Sequence, residues 1–278
     1  MTRSTADYVA QPGDGIAWVT GASSGIGAEV ARELAARGWR VAVTARSRDA
    51  LETLAAQAAD GPGEIRVYEG DTTEPERMAE IVRGIEADFG PVALAVLNAG
   101  IYLPVDGTAP DLADFHKSFD VNLGGTVNAL VPLIAAMRGR GRGQIALVAS
   151  VAGYSGLPTS AAYGATKAAL INMGEALKFD LDRIGVRIQI VSPGFVDTPA
   201  TKDNPFPMPH LLPVETAAER LVSGLARKGN FEITFPRRFT WQLKFLRILP
   251  YRLYFPLLGR TTGWAKKGPP DGTGEDAG

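Results

Sequence analysis

Short runs of mostly apolar residues, each closed by a turn-forming or polar residue, alternate along this chain with longer stretches of helical period. Residues 16–20, 40–44, 65–69, 93–97, 144–149, 186–191 and 231–235 read as strands. Residues 28–37, 48–59, 75–89, much of 111–137, 161–184 and 214–227 read as the helices between them, Pro75 opening its helix at the position that tolerates a missing N–H. Apolar runs this short, bounded by turn signals, suit strands buried on both faces. Strand and helix in alternation imply right-handed crossovers and an α/β fold with one doubly wound parallel sheet of about seven strands. The pattern divides the chain into a flexible leader (1–15), one α/β domain (16–236), an apolar and basic extension (237–267) and a flexible tail (268–278).

In such sheets ligands bind beyond the carboxyl ends of the strands. The first strand runs into Gly21-Ala22-Ser23-Ser24-Gly25-Ile26-Gly27 and then a helix. Glycines let a backbone approach a pyrophosphate, and the helix N-terminus favours the anion. The spacing G-x-x-x-G-x-G differs from the commoner G-x-G-x-x-G, and an ordinary tight turn would look similar. Arg46 follows the second strand, Asp71 the third, Asn98-Ala99-Gly100 the fourth, Ser150 the fifth and Pro193-Gly194 the sixth. Six strand ends therefore converge on one rim, the arrangement a dinucleotide site requires.

Tyr163 and Lys167 stand four residues apart within a helical stretch, which stacks them on one face. An ammonium about 4 Å from a phenol, at an effective dielectric of about 20, contributes roughly 4 kcal/mol toward the phenolate before desolvation opposes it. The pair is a candidate general acid/base.

Composition narrows the field. The 278 residues carry a net charge of -1, which gives no global field favouring nucleic acid. There are no cysteines, so disulfides, thiol nucleophiles and thiolate metal sites are excluded. His116 and His210 lack metal-ligand spacing. The N-terminus has no apolar signal core, and no stretch reaches the about 18 uninterrupted apolar residues of a membrane span, so a cytoplasmic location is expected.

Taken together, Thr20 to Gly27, Asn98-Ala-Gly100, Asn122, Ser150, Tyr163-x-x-x-Lys167 and Pro193-Gly194 resemble the short-chain dehydrogenase/reductase family over roughly residues 16 to 235. Leu97 departs from the pattern, where many relatives carry a second asparagine. The resemblance implies a Rossmann-type fold, a catalytic tetrad of Asn122, Ser150, Tyr163 and Lys167, and homodimers or homotetramers. Tyr163 would exchange a proton with a carbonyl or alcohol substrate while hydride passes to or from nicotinamide. Lys167 would lower the tyrosine pKa and hold the ribose, Ser150 would bond the reacting oxygen, and Asn122 would position a water. Cofactor contacts are implied at Gly21, Ser23, Ser24, Gly25, Ile26, Gly27, Arg46, Asp71, Asn98, Ala99, Gly100, Tyr163, Lys167, Pro193, Gly194, Val196 and Thr198.

NAD-preferring relatives usually place an aspartate where this chain has Ala45, and Arg46 beside it suits a 2′-phosphate, so NADP (NADPH) is expected over NAD. Asp71 resembles the family's adenine contact and would look the same as a helix cap. Residues 195–212 resemble the variable substrate lid. By position Ile101, Val151, Ala152, Tyr154 and Phe195 would flank the pocket with Ser150 and Tyr163, an apolar lining that suits a lipophilic ketone or alcohol.

The extension lacks any acidic residue between Glu232 and Asp271. Helical spacing from Phe239 to Leu249 puts Thr240, Lys244 and Arg247 on a narrow face, with Trp241, Leu243, Phe245, Leu246, Ile248 and Leu249 around the rest. Such a helix either packs across the substrate pocket or a subunit partner, or makes peripheral membrane contact through 237–260.

Overall fold

A computed structural model describes residues 8–202 and 208–264. Seven parallel strands form one sheet in the order β3-β2-β1-β4-β5-β6-β7, the doubly wound arrangement expected. They are β1 (Ile16–Thr20), β2 (Arg40–Thr44), β3 (Glu64–Val67), β4 (Val92–Leu97), β5 (Gly143–Val148), β6 (Val186–Pro193) and β7 (Glu232–Phe235). The strand order reverses between β1 and β4, the switch point beyond whose carboxyl ends ligands bind in such sheets. β1, β4, β5 and β6 are buried along their whole length; β1 and β4 are largely apolar, whereas β5 and β6 carry Gln144, Arg187 and Gln189 into the buried sheet. Trp18 of β1 is buried too, and its indole N–H is satisfied by Thr44 Oγ1 at 2.9 Å.

Helices α1 (Gly25–Ala36), α2 (Arg48–Gln57) and α7 (Val214–Leu225) cover one face. The other is covered by α3 (Pro75–Asp88), α5 (Gly125–Arg140) and α6 (Ala161–Arg183). The single long helix expected over 111–137 begins as α4 (Leu112–Ser118), widens into a π-helical segment (Phe119–Gly124) and continues as α5. By length and composition this 29-residue rod would cross a bilayer. Here its Leu130, Leu133 and Met137 are buried in the sheet core.

The amino-terminal segment is tied down from Tyr8 onward, not free up to residue 15. Arg187 donates to the Tyr8 carbonyl at 2.9 Å, and the Ala10 N–H donates to Gln144 Oε1 at 2.9 Å. The buried Gln144 and Arg187 need these partners, and the strand-like apolar pattern of β5 and β6 conceals them. The expected flexible tail, 268–278, and lid residues 203–207 lie outside the described residues.

The extension forms α8 (Arg237–Arg247) and α9 (Tyr251–Thr261). Phe239 and Leu243 pack beside Val151 in a small cluster of their own, joined by Phe195 and Tyr154. The basic strip expected on α8 is not a free face. Thr240 is buried, and Lys244 turns inward to pair with Glu232 of β7. Helical spacing located the stripe, but only tertiary packing shows that an acceptor from β7 lies beneath it.

Candidate active site

A large cavity of about 1500 Å³ occupies the cleft beyond the strand ends. One end is built from the glycine turn. Gly21 has φ 67°, a left-handed conformation, and a Cβ there would lie 2.7 Å from the Ala99 Cα. Gly27 does not line the cavity; a Cβ on it would sit 2.3 Å from the Gly21 carbonyl oxygen, so it lets α1 close onto the turn. Asn98 holds the turn from the far side, its side chain donating to the Thr20 and Gly21 carbonyls at 3.2 Å each. Gly21, Ser23, Ser24, Gly25 and Ile26 face the cavity with Asn98, Ala99 and Gly100. This cradle of bare backbone at a helix N-terminus fits a dinucleotide phosphate.

Arg46 lines the same end, is exposed, and makes no ion pair among the described residues. Arg48 does not join it, being paired with Glu52 at 2.7 Å and Glu69 at 3.6 Å. Asp71 also lines the cavity, while its Oδ1 accepts from the N–H and the hydroxyl of Thr73 at 2.9 Å. It closes a turn ahead of α3, whose N-cap is Glu74. Pro193, Gly194, Val196 and Thr198 complete the wall after β6.

The middle of the cavity holds Ser150, Tyr163 and Lys167. Ser150 follows β5 and caps a 3-10 turn, its Oγ accepting from the Ala152 N–H at 3.1 Å. It also lies within hydrogen-bonding reach of the Tyr163 hydroxyl. Burial pushes the Tyr163 pKa up, the Ser150 hydrogen bond pulls it down, and neighbouring Tyr102 adds to the rise. Lys167 is not among the causes of this shift. Lys167 Nζ stands 5.5 Å from the Tyr163 ring centroid and donates to the Val148 carbonyl at 2.8 Å. Its own pKa falls to about 8 because it is buried without a carboxylate. Desolvation is the largest cause of both shifts.

Asn122 is fully buried in the π-helical segment, behind the cavity wall and not on it. Its Oδ1 accepts from the Ile101 N–H at 2.7 Å, and its Nδ2 donates to the Ile101 carbonyl at 2.9 Å and Thr166 Oγ1 at 3.2 Å. The side chain thereby ties the loop after β4 to α6. A Cβ on Gly100 would meet both Asn122 Oδ1 and Lys167 Nζ, at 3.1 and 3.4 Å, so all three groups press together.

Ile101, Val151, Ala152 and Phe195 line the remaining wall as expected; Tyr154 does not. Its hydroxyl donates to Glu232 at 2.6 Å, beneath α8. Two contributions escaped the sequence reading. Tyr102 packs edge-on against Tyr163, centroids 5.1 Å apart, and its hydroxyl bonds Thr159 Oγ1 at 2.9 Å. Thr159 has φ 60°, rare for a β-branched residue, with Pro158 and Ser160 beside it lining the cavity. The extension supplies the second: Gln242, Leu243, Phe245 and Leu246 of α8, Leu257 and Leu258 of α9, and Trp264 close the cavity. Among the described residues no cluster of histidine and carboxylate side chains suits a metal.

The short chain dehydrogenase family model matches residues 15–206. The chain belongs to this family. An uncharacterized oxidoreductase of Myxococcus xanthus is 34% identical over 86% of this chain and 94% of its own. A short-chain type dehydrogenase/reductase from Mycobacterium marinum superposes with a TM-score of 0.72 at 28% identity, covering 79% of this chain and 93% of that one. An actinorhodin polyketide ketoreductase solved with NADPH superposes at 0.70 with 25% identity, covering 81% and 97%. The protein is therefore an oxidoreductase of the short-chain family, one that binds a nicotinamide dinucleotide and acts on a small molecule.

Proposed function

We propose that the protein interconverts a lipophilic carbonyl compound and its alcohol, using NADP(H) in preference to NAD(H). The observation that carries this reading is the meeting of Ser150, Tyr163 and Lys167 in one cavity, between the glycine cradle and an apolar wall. The cradle, Asn98 to Gly100 and Lys167 would hold the dinucleotide, and bound there its nicotinamide supplies or accepts the hydride.

In the reductive direction the Tyr163 hydroxyl donates its proton to the carbonyl oxygen as the carbon gains hydride. Ser150 donates a hydrogen bond to the same oxygen and stabilises the charge that develops on it. The raised Tyr163 pKa keeps the phenol protonated at neutral pH, ready to act as the acid. The Lys167 ammonium, on the same helical face, stabilises the phenolate left behind. Arg46, unpaired at the cofactor end, supports NADP through a charge-assisted contact to a 2′-phosphate, and Ala45 offers no carboxylate to a 2′-hydroxyl. The NADPH carried by the ketoreductase neighbour favours the same choice.

The test is NADPH consumption with a panel of lipophilic ketones and aldehydes, with NADH in parallel. Turnover with NADPH well above NADH is expected. Reduction supported equally by NADH would remove the cofactor preference, and no turnover of any carbonyl would remove the reaction.

A further inference from the structure

The extension leaves an apolar surface at the mouth of the cavity that the reaction itself does not require. On α8, Trp241, Phe245 and Ile248 recur at helical spacing and are 69%, 59% and 75% exposed. On α9, Tyr251, Leu253 and Phe255 are comparably exposed. Six large exposed side chains between Trp241 and Phe255, with Tyr251 and Phe255 stacked on each other, are a denser set than the scattered ones any soluble surface carries. The patch is also continuous with the cleft. Phe245, Leu257 and Trp264 line the cavity and remain partly open to solvent, so they form the rim through which it communicates with the outside.

Charge identifies the occupant. Arg237, Arg238, Arg247, Arg252 and Arg260 are all exposed on these two helices, and neither helix carries a carboxylate. Arg238 sits one turn before Trp241 on the same face of α8. The whole chain has a net charge of -1, so this basic character is local. Lys244 is partly exposed, and its charge is compensated by Glu232.

The geometry points to a docking surface for an anionic lipid bilayer: α8 and α9 lie in the headgroup layer and present the cavity mouth to it. Aromatic and branched apolar side chains enter the acyl boundary, and the arginines meet lipid phosphates. A lipophilic substrate would then pass between α8 and α9 without crossing water. That purpose rests on the proposed carbonyl chemistry; the docking does not, and it is read without turnover.

The experiment is sedimentation of the full chain with phosphatidylcholine vesicles, with and without phosphatidylglycerol. It is paired with quenching of tryptophan fluorescence by brominated acyl chains. Trp18 and Trp39 are buried in the fold, so quenching reports Trp241 and Trp264. Binding to anionic vesicles at least about tenfold tighter than to neutral ones, weakened by salt, is expected. Ile248→Glu with Leu253→Glu should weaken it at least about tenfold. Arg238→Glu with Arg252→Glu should do so without touching an apolar residue. Both variants should bind NADPH normally, which shows that they are folded. No sedimentation of wild type with anionic vesicles would overturn the proposal. So would self-association in solution that Ile248→Glu abolishes, since a second copy would then be the occupant.

Discussion

Lys167 of α6 donates to the carbonyl oxygen of Val148 at the end of β5 at 2.8 Å, and among the described residues no carboxylate compensates its burial. The ammonium is held by a neutral dipole in a desolvated site, which is why its pKa falls from 10.5 to about 8. Below about 8 the lysine is charged in both folded and unfolded chains, and the folded protein bears the full cost. Between 8 and 10.5 the unfolded chain binds a proton that the folded one does not, so stability rises with pH across that window. The whole shift corresponds to about 3 kcal/mol. Urea midpoints of cofactor-free protein should increase from about pH 7 to about pH 9. Lys167→Met should remove that increase. A wild-type profile as flat as the variant's would show that the lysine is not desolvated.

At the cofactor end, Arg46→Ala should weaken NADPH binding by roughly 10- to 100-fold, the size of a charge-assisted hydrogen bond lost, and leave NADH unchanged. Fluorescence titration with each dinucleotide measures this. Equal loss for both would assign Arg46 to a contact common to the two cofactors.

Glu232 joins the extension to the sheet. It accepts from Tyr154 at 2.6 Å and pairs with Lys244 of α8. Burial, reinforced by that carboxylate, drives the Tyr154 pKa upward, so the hydroxyl stays a donor at any working pH. Glu232→Ala strands the phenol and the ammonium together. It should destabilise the protein by about 1–3 kcal/mol. Because Leu243 and Leu246 of α8 line the cavity, KM for a bulky substrate should also rise. Thermal unfolding and steady-state kinetics separate the two effects. A loss of stability with KM unchanged would mean that α8 holds its place without this contact.

How much of this was legible beforehand depended on the range of the interactions involved. The strands, their parallel pairing and the loops after them were readable because short, mostly apolar runs alternating with helical stretches admit few other folds. Gly21 and Gly27 were readable because the backbone conformation and close approach they allow exclude side chains. The seating of Asn122 in a π-helical turn was not, since its partners Ile101 and Thr166 lie far along the chain. Tyr102 depends on the strained Thr159 backbone, which no local pattern announces. Tyr154 and Lys244 escape local spacing for one reason: both answer to Glu232 of β7, far from each of them along the chain or on another element. Spacing tells which residues share a helix face; what lies opposite that face is set by the fold.

The role of Tyr163 as the general acid is tested by Tyr163→Phe, assayed for NADPH-dependent reduction and titrated for NADPH binding on the same preparation. The substitution removes one hydroxyl and keeps the ring packed against Tyr102. Turnover should fall by about 100- to 10,000-fold, the contribution of a positioned general acid, while NADPH affinity stays within a few-fold of wild type. A variant that binds NADPH and reduces substrate at a near-normal rate would contradict that role.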